Sequence, residues 1–122
     1  MMTGDEYQKA AARTLIDAPD FQIQPSEIML VWNAIGLAGE SGEVAELVKK
    51  AVFHRKGLDV EKLKKELGDV LWYVAALCSK TGLSLSDVMQ ANDAKLRARY
   101  PDGWDNTLSH AQGATAREEV AR

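Results

Sequence analysis

The sequence predicts an all-α fold, a helical bundle of four main helices. Three observations predict it. Apolar residues recur at helical spacing in two long stretches, Leu37 to Ala51 and Leu63 to Leu77. Capping and stop residues bracket those stretches. Alternating runs of β-branched and aromatic residues, the strand signal, are missing. A length of 122 residues suits one domain with a modest core.

The elements follow in order. Residues 5–17 form a short amphipathic candidate, with Tyr7, Ala10, Ala11, Thr14 and Leu15 on one side. Asp17-Ala18-Pro19-Asp20 breaks it, because proline disfavours helix in the residue before it. A loop through Pro25 leads to Ser26, an expected N-cap, with Glu27 in the first turn. The second helix runs to about His54 and closes on Arg55, Lys56 and Gly57, cations followed by a C-cap glycine. Asp59 caps a third helix that continues to Lys80 and stops at Thr81-Gly82. Ser84 or Ser86 opens the fourth, which Tyr100-Pro101-Asp102-Gly103 terminates. Residues 1–104 therefore read as a single helical domain. Residues 105–122 are polar, carry no strong apolar stripe and are expected to be a mobile or weakly helical tail.

Composition narrows the function. Hydrophobic content of 46% and charged content of 27% fit a soluble globular chain. A net charge of −3 argues against a nucleic-acid polymer as partner, since backbone-binding surfaces are basic. The single cysteine, Cys78, has no internal disulfide partner and sits in a helical apolar setting. No run approaches the roughly 18 apolar residues of a membrane span, and no secretory signal follows the start. The expectation is a cytoplasmic protein with no membrane association.

The chemistry lies in two acidic pairs, Glu40-Ser41-Gly42-Glu43 and Glu66-Leu67-Gly68-Asp69. Carboxylates at i and i+3 share a helix face. Glu40 falls within the apolar stripe of Leu37, Val44, Leu47, Val48 and Ala51. Glu66 falls within that of Leu63, Leu67, Val70, Leu71, Val74 and Leu77. Acids on a packing face are costly unless something compensates them. The short linker makes the two helices antiparallel neighbours. Counted from that linker, the pairs lie about 17–21 Å and 11–15 Å along their helices, so with some stagger they face each other. Hard oxygen ligands of this kind favour Mg²⁺, with Mn²⁺ as a substitute, over zinc. Gly36, Gly39 and Gly42 recur along the same helix. They permit close helix approach, or leave room for metal ions and phosphate oxygens, or mark a kink near Gly36; the spacing leaves all three open.

The ordered set ExxE, 22 residues, ExxD resembles the pattern of the MazG-like nucleotide pyrophosphohydrolases. Its surroundings are similar as well: Gly39-Glu-Ser-Gly-Glu-Val-Ala-Glu-Leu47, Glu66-Leu-Gly-Asp-Val-Leu-Trp-Tyr73 and Arg99-Tyr-Pro-Asp-Gly103. The resemblance covers about residues 26–104. It implies an all-α fold and Mg²⁺-dependent hydrolysis of a nucleoside triphosphate to monophosphate and pyrophosphate, in nucleotide-pool house-cleaning. It also implies a bundle completed by homo-oligomerisation, as a homodimer or homotetramer whose neighbouring subunits finish the pocket. Carried over by position, the metal ligands and catalytic acids are Glu40, Glu43, Glu66 and Asp69, holding two Mg²⁺ ions against the triphosphate. The family places an asparagine and basic residues near the end of the domain to hold phosphates. That implies substrate binding by Asn92, Lys95 and Arg99, which share a helix face at i, i+3 and i+7.

The aromatic residues divide between packing and binding. Trp72 and Tyr73 are expected in the core, although Tyr73, at i+4 from Asp69, shares the carboxylate face and can border a base or sugar pocket. Trp32, two turns before Glu40, is a candidate for stacking on a nucleobase. Lys49, Lys50, Arg55 and Lys56 are expected to cap their helix, with reach to phosphates across an oligomer as the alternative. Rival readings are a phosphoribosyl-ATP pyrophosphatase-like enzyme and a non-enzymatic helical partner-binding module. A ferritin-like di-metal oxidase is disfavoured because no Glu-x-x-His occurs.

Overall fold

In the computed structural model, which describes residues 1–104, α1 spans Gly4–Ala11, α2 Pro25–Phe53, α3 Val60–Thr81 and α4 Leu85–Arg99. No strand occurs among the described residues. The expected tail, 105–122, lies outside them.

Local chemistry explains most of the boundaries. Thr3 caps α1 reciprocally: its backbone N–H donates to Glu6 Oε2 at 2.7 Å, and Glu6 N–H donates to Thr3 Oγ1 at 3.2 Å. Hydrogen bonding to the carboxylate by the Thr3 backbone N–H, and then by the Thr3 side chain, holds the Glu6 carboxyl below its usual range. The helix is shorter than the expected 5–17. Arg13 and Thr14 instead donate to the carbonyls of Ala10 and Ala11, the tight i to i−3 pattern of a chain leaving a helix. α1 packs against no other helix among the described residues, and so short a helix is marginal without tertiary support.

α2 begins two residues earlier than the Ser26 cap implies. Pro25 occupies the first turn, where its missing N–H costs nothing, and Gln24 N–H donates to Glu27 Oε2 at 2.7 Å. The helix runs unbroken past Gly36. It ends at Phe53, capped by His54. Arg55 follows with φ of 54° and Gly57 with φ of 74°, two left-handed residues that reverse the chain. Lys49 and Lys50, expected as caps, pair with Glu46 at 2.7 and 3.3 Å on the exposed side of α2. Asp59 caps α3 as expected, accepting from Lys62 N–H at 3.0 Å. Gly82, at φ of 75°, closes it, with Leu83 N–H returning to the Cys78 carbonyl at 3.0 Å. Ser84, rather than Ser86, caps α4 by accepting from Asp87 N–H.

α2 and α3 form the main packed pair; α4 meets α3 sparingly and does not meet α2. The inner face of the pair is half-buried: Leu37, Val44, Leu47 and Ala51 of α2, and Leu63, Val70, Val74 and Leu77 of α3. Only Asn33 and Cys78 are buried among the described residues. The Asn33 amide donates to the Met29 carbonyl at 2.7 Å, satisfying one of its donors within α2. Val48, Leu67 and Leu71, assigned to the packing stripes, are exposed instead. A stripe of that width spans more surface than one partner helix covers. Large apolar side chains are therefore left exposed on the outside of the hairpin, Ile28, Val31 and Ile35 on α2 and Leu71 on α3 among them.

Candidate functional site

The site begins where Glu40 of α2 meets Glu66 and Asp69 of α3. One carboxylate oxygen from each lies within 4.8 Å of the other two. The i, i+3 spacing aims Glu66 and Asp69 at the same side of α3, and the antiparallel hairpin brings Glu40 opposite them. Glu40 and Glu66 are half-buried, while Asp69 opens to solvent. No cation pairs with any of the three among the described residues. The ion pairs found there join Glu46 to Lys49 and Lys50, and Asp93 to Arg97.

Electrostatics follow from that geometry. The Glu40 carboxyl is raised above its usual range, first by partial burial and then by the negative charges of Asp69, Glu66 and Glu43, in that order. Three converging carboxylate oxygens suit a hard divalent cation with oxygen preference, which would both neutralise the repulsion and retain open positions for phosphate and water. Glu43 lies outside the tight trio. It sits one turn further along α2, close enough for its charge to be felt at Glu40.

One cleft adjoins the acids and a second shares its Tyr73 wall. The first, of about 360 Å³, is lined by Glu40, Asp69, Trp72 and Tyr73. The second, of about 330 Å³, is lined by Trp32, Ile35, Gly36 and Tyr73. Tyr73 walls both. Its ring stands edge-on to that of Trp72, with centroids 4.9 Å apart and planes at 86°. Trp72 is not the core residue expected. It is 61% exposed and borders the acidic cleft. The signal was present in its spacing, since Trp72 is at i+3 from Asp69 and so shares its face. Trp32 is exposed at 66% and offers its ring to the second cleft.

Asn92, Lys95 and Arg99 stand elsewhere. All three are exposed on α4, which makes no contact with α2, and none lines the acidic cleft. Within one protomer the fold does not bring them to the carboxylates. Arg97, on the same helix, is held by Asp93 at 2.7 Å, and that bond raises the guanidinium above its already high value.

The close approach of Tyr73 to α2 depends on Gly36. A Cβ built there would collide with Tyr73 Cε1 and Cζ and lie 2.8 Å from Cδ1. Gly39 and Gly42, by contrast, have open space where a Cβ would sit. Of the meanings left open for the glycine series, close approach thus holds at Gly36, where the visitor is an aromatic ring.

Residues 33–104 match the model of the MazG nucleotide pyrophosphohydrolase domain. The chain is 40% identical over 103 residues to the "Gene 37 protein" of Mycobacterium phage L5, an overlap of 81% of this chain and 90% of that protein. No solved structure matches. The match spans both acidic motifs, the Gly36–Tyr73 contact and all of α4. With ExxE and ExxD on the two packed helices of a hairpin, this protein belongs to the MazG nucleotide pyrophosphohydrolase family.

Proposed function

We propose that this protein is a Mg²⁺-dependent nucleoside triphosphate pyrophosphohydrolase, adding water across the α–β anhydride of a (deoxy)nucleoside triphosphate to leave the monophosphate and pyrophosphate. The observation that carries the reading is the convergence of Glu40, Glu66 and Asp69, without a neutralising side chain among the described residues, at the mouth of an aromatic cleft. Those three carboxylates would hold the cation, with Glu43 as a fourth ligand reached by side-chain rotation. Mn²⁺ would substitute. Bound there, the metal supplies Lewis-acid polarisation of the anhydride and charge neutralisation on the departing pyrophosphate. The chain's own acids orient the attacking water and accept its proton, and the half-buried position of Glu40 excludes part of the competing solvent. Trp32 and Tyr73 would border the base and sugar, while the carboxylate end takes the phosphates.

Homo-oligomerisation completes this reading. The exposed apolar side chains of α2 and α3 would be covered by a second copy, each large side chain contributing roughly 1.5–3 kcal/mol when fully buried. α4 makes no contact with α2, so Asn92, Lys95 and Arg99 would reach the triphosphate bound by a neighbour. Nucleotide-pool house-cleaning is the role proposed for this activity.

The test is a panel of canonical, deoxy and modified nucleoside triphosphates incubated with purified protein and Mg²⁺. Equal amounts of monophosphate and pyrophosphate, abolished by chelator and restored by Mg²⁺ or Mn²⁺, are expected. Phosphate release without pyrophosphate, or activity indifferent to chelator, overturns the proposal. Hydrolysis confined to phosphoribosyl-ATP would assign the related histidine-pathway activity instead.

A further inference from the structure

We propose that Gly36 is a positioning residue: by lacking a side chain it seats the Tyr73 ring as the common wall between the acidic cleft and the Trp32 cleft. In that position the ring joins the metal-and-phosphate half of the site to the half that takes the nucleobase. The inference rests on the pyrophosphohydrolase reading for its ligand, but its geometry is independent of that reading.

Three observations lead to it. The Cδ1–Cε1–Cζ edge of Tyr73 occupies the space that any side chain at residue 36 would fill, so the ring's place depends on the absence of a Cβ. Glycine in the middle of a 29-residue helix otherwise weakens it, and the neighbouring Gly39 meets nothing within 4 Å. Tyr73 is the one residue lining both the Glu40–Asp69 cleft and the Trp32–Ile35 cleft. A ring pushed off Gly36 would move toward one of these clefts and change the distance between their contents. Trp72, edge-on to Tyr73, would shift with it.

The consequence is specific. The carboxylates sit on backbone that Gly36→Ala leaves in place, so cation binding is retained. Nucleotide recognition suffers, because the surface bordering the base is displaced. Stacking of a base on an aromatic ring corresponds to about a tenfold effect on binding, and a rise in KM of that size is expected with a smaller change in kcat. Tyr73→Ala reproduces the KM defect.

The experiment is a double-substitution cycle on the full chain, comparing wild type, Gly36→Ala, Tyr73→Ala and the pair. Readouts are KM and kcat on the best substrate of the panel, Mn²⁺ affinity by electron paramagnetic resonance, and near-ultraviolet circular dichroism of the Trp72–Tyr73 pair. Support is a near-ultraviolet change in Gly36→Ala with Mn²⁺ binding intact, and no added KM defect when Gly36→Ala is placed on Tyr73→Ala. Because Tyr73→Ala vacates the space, the double variant folds even if Gly36→Ala alone does not, and that rescue also supports the proposal. Equal KM defects from Gly36→Ala in both backgrounds overturn it, as does an unchanged near-ultraviolet spectrum. Should wild type release no pyrophosphate from any nucleotide, the enzymatic reading fails, while the spectrum and the rescue still decide where the ring sits.

Discussion

Two identical substitutions on one helix should have opposite signs. At Gly39 the helix interior is exposed and a Cβ would meet nothing within 4 Å. Alanine there removes the backbone entropy penalty of glycine and should stabilise the protein by about 0.5–1 kcal/mol. At Gly36 the same propensity gain is available, but the added methyl overlaps the Tyr73 ring along its Cδ1–Cε1 edge. Overpacking of that kind costs about 1–3 kcal/mol, because the ring must leave its rotamer. The net effect at Gly36 is a loss of up to about 2 kcal/mol, and the two variants should differ by roughly 1–3 kcal/mol. The assay is urea unfolding of metal-free protein, followed by far-ultraviolet circular dichroism at one fixed protein concentration, since association contributes to the measured stability. Wild type should lie between the two variants. Equal stabilisation by both would refute the packing argument, because it would mean that Tyr73 does not rest on Gly36.

Other expectations concern the acids, the caps and assembly. Glu66→Gln, Asp69→Asn and Glu43→Gln should each lower turnover by about a hundredfold or more while leaving the helical spectrum intact; a variant keeping wild-type rates removes that residue from the mechanism. Glu40 holds its proton more tightly in the fold than in the unfolded chain, so it favours the metal-free fold below the ordinary carboxylate range, and that contribution is lost as pH rises through its elevated value. A divalent cation reverses the trend, binding more weakly as the solution is acidified through the same window, and Glu40→Gln should flatten the pH profile of metal-free stability. Asp59→Ala removes the acceptor for Lys62 N–H and should cost about 1 kcal/mol in thermal or urea unfolding, with no change in the ratio of kcat to KM at temperatures where the protein is folded. Sedimentation should find dimers or tetramers, and Leu71→Asp on the exposed outside of the hairpin should dissociate them and reduce activity; a fully active monomer contradicts the shared site.

Much of this protein is legible in one dimension. The interiors of α2, α3 and α4 follow from apolar periodicity and from residues that cap by their own short-range bonds, such as Asp59, Ser84 and Gly82. The start of α2 was misplaced because proline at the first helical position and a glutamate reaching back to Gln24 N–H together outweigh a serine cap. The end of α1 was overextended because periodicity cannot register that a helix has nothing to pack against. At the site, the four acids and their membership of one family could be read from motif order. Which of them meet could not. Trp72 was assigned to the core for the same reason, since the stripe it belongs to is wider than the single helix that covers it.

Sequence alone determined the helices, their approximate limits, the acidic motifs and the family to which they belong, because those depend on residues within a few positions of one another. The tertiary structure decided that Glu40 joins Glu66 and Asp69 with Glu43 outside the trio, that Tyr73 rests on Gly36, and that α4 makes no contact with α2. Periodicity orients each residue about its own helix axis, whereas the stagger and rotation of one helix against another are set by steric fit where they touch.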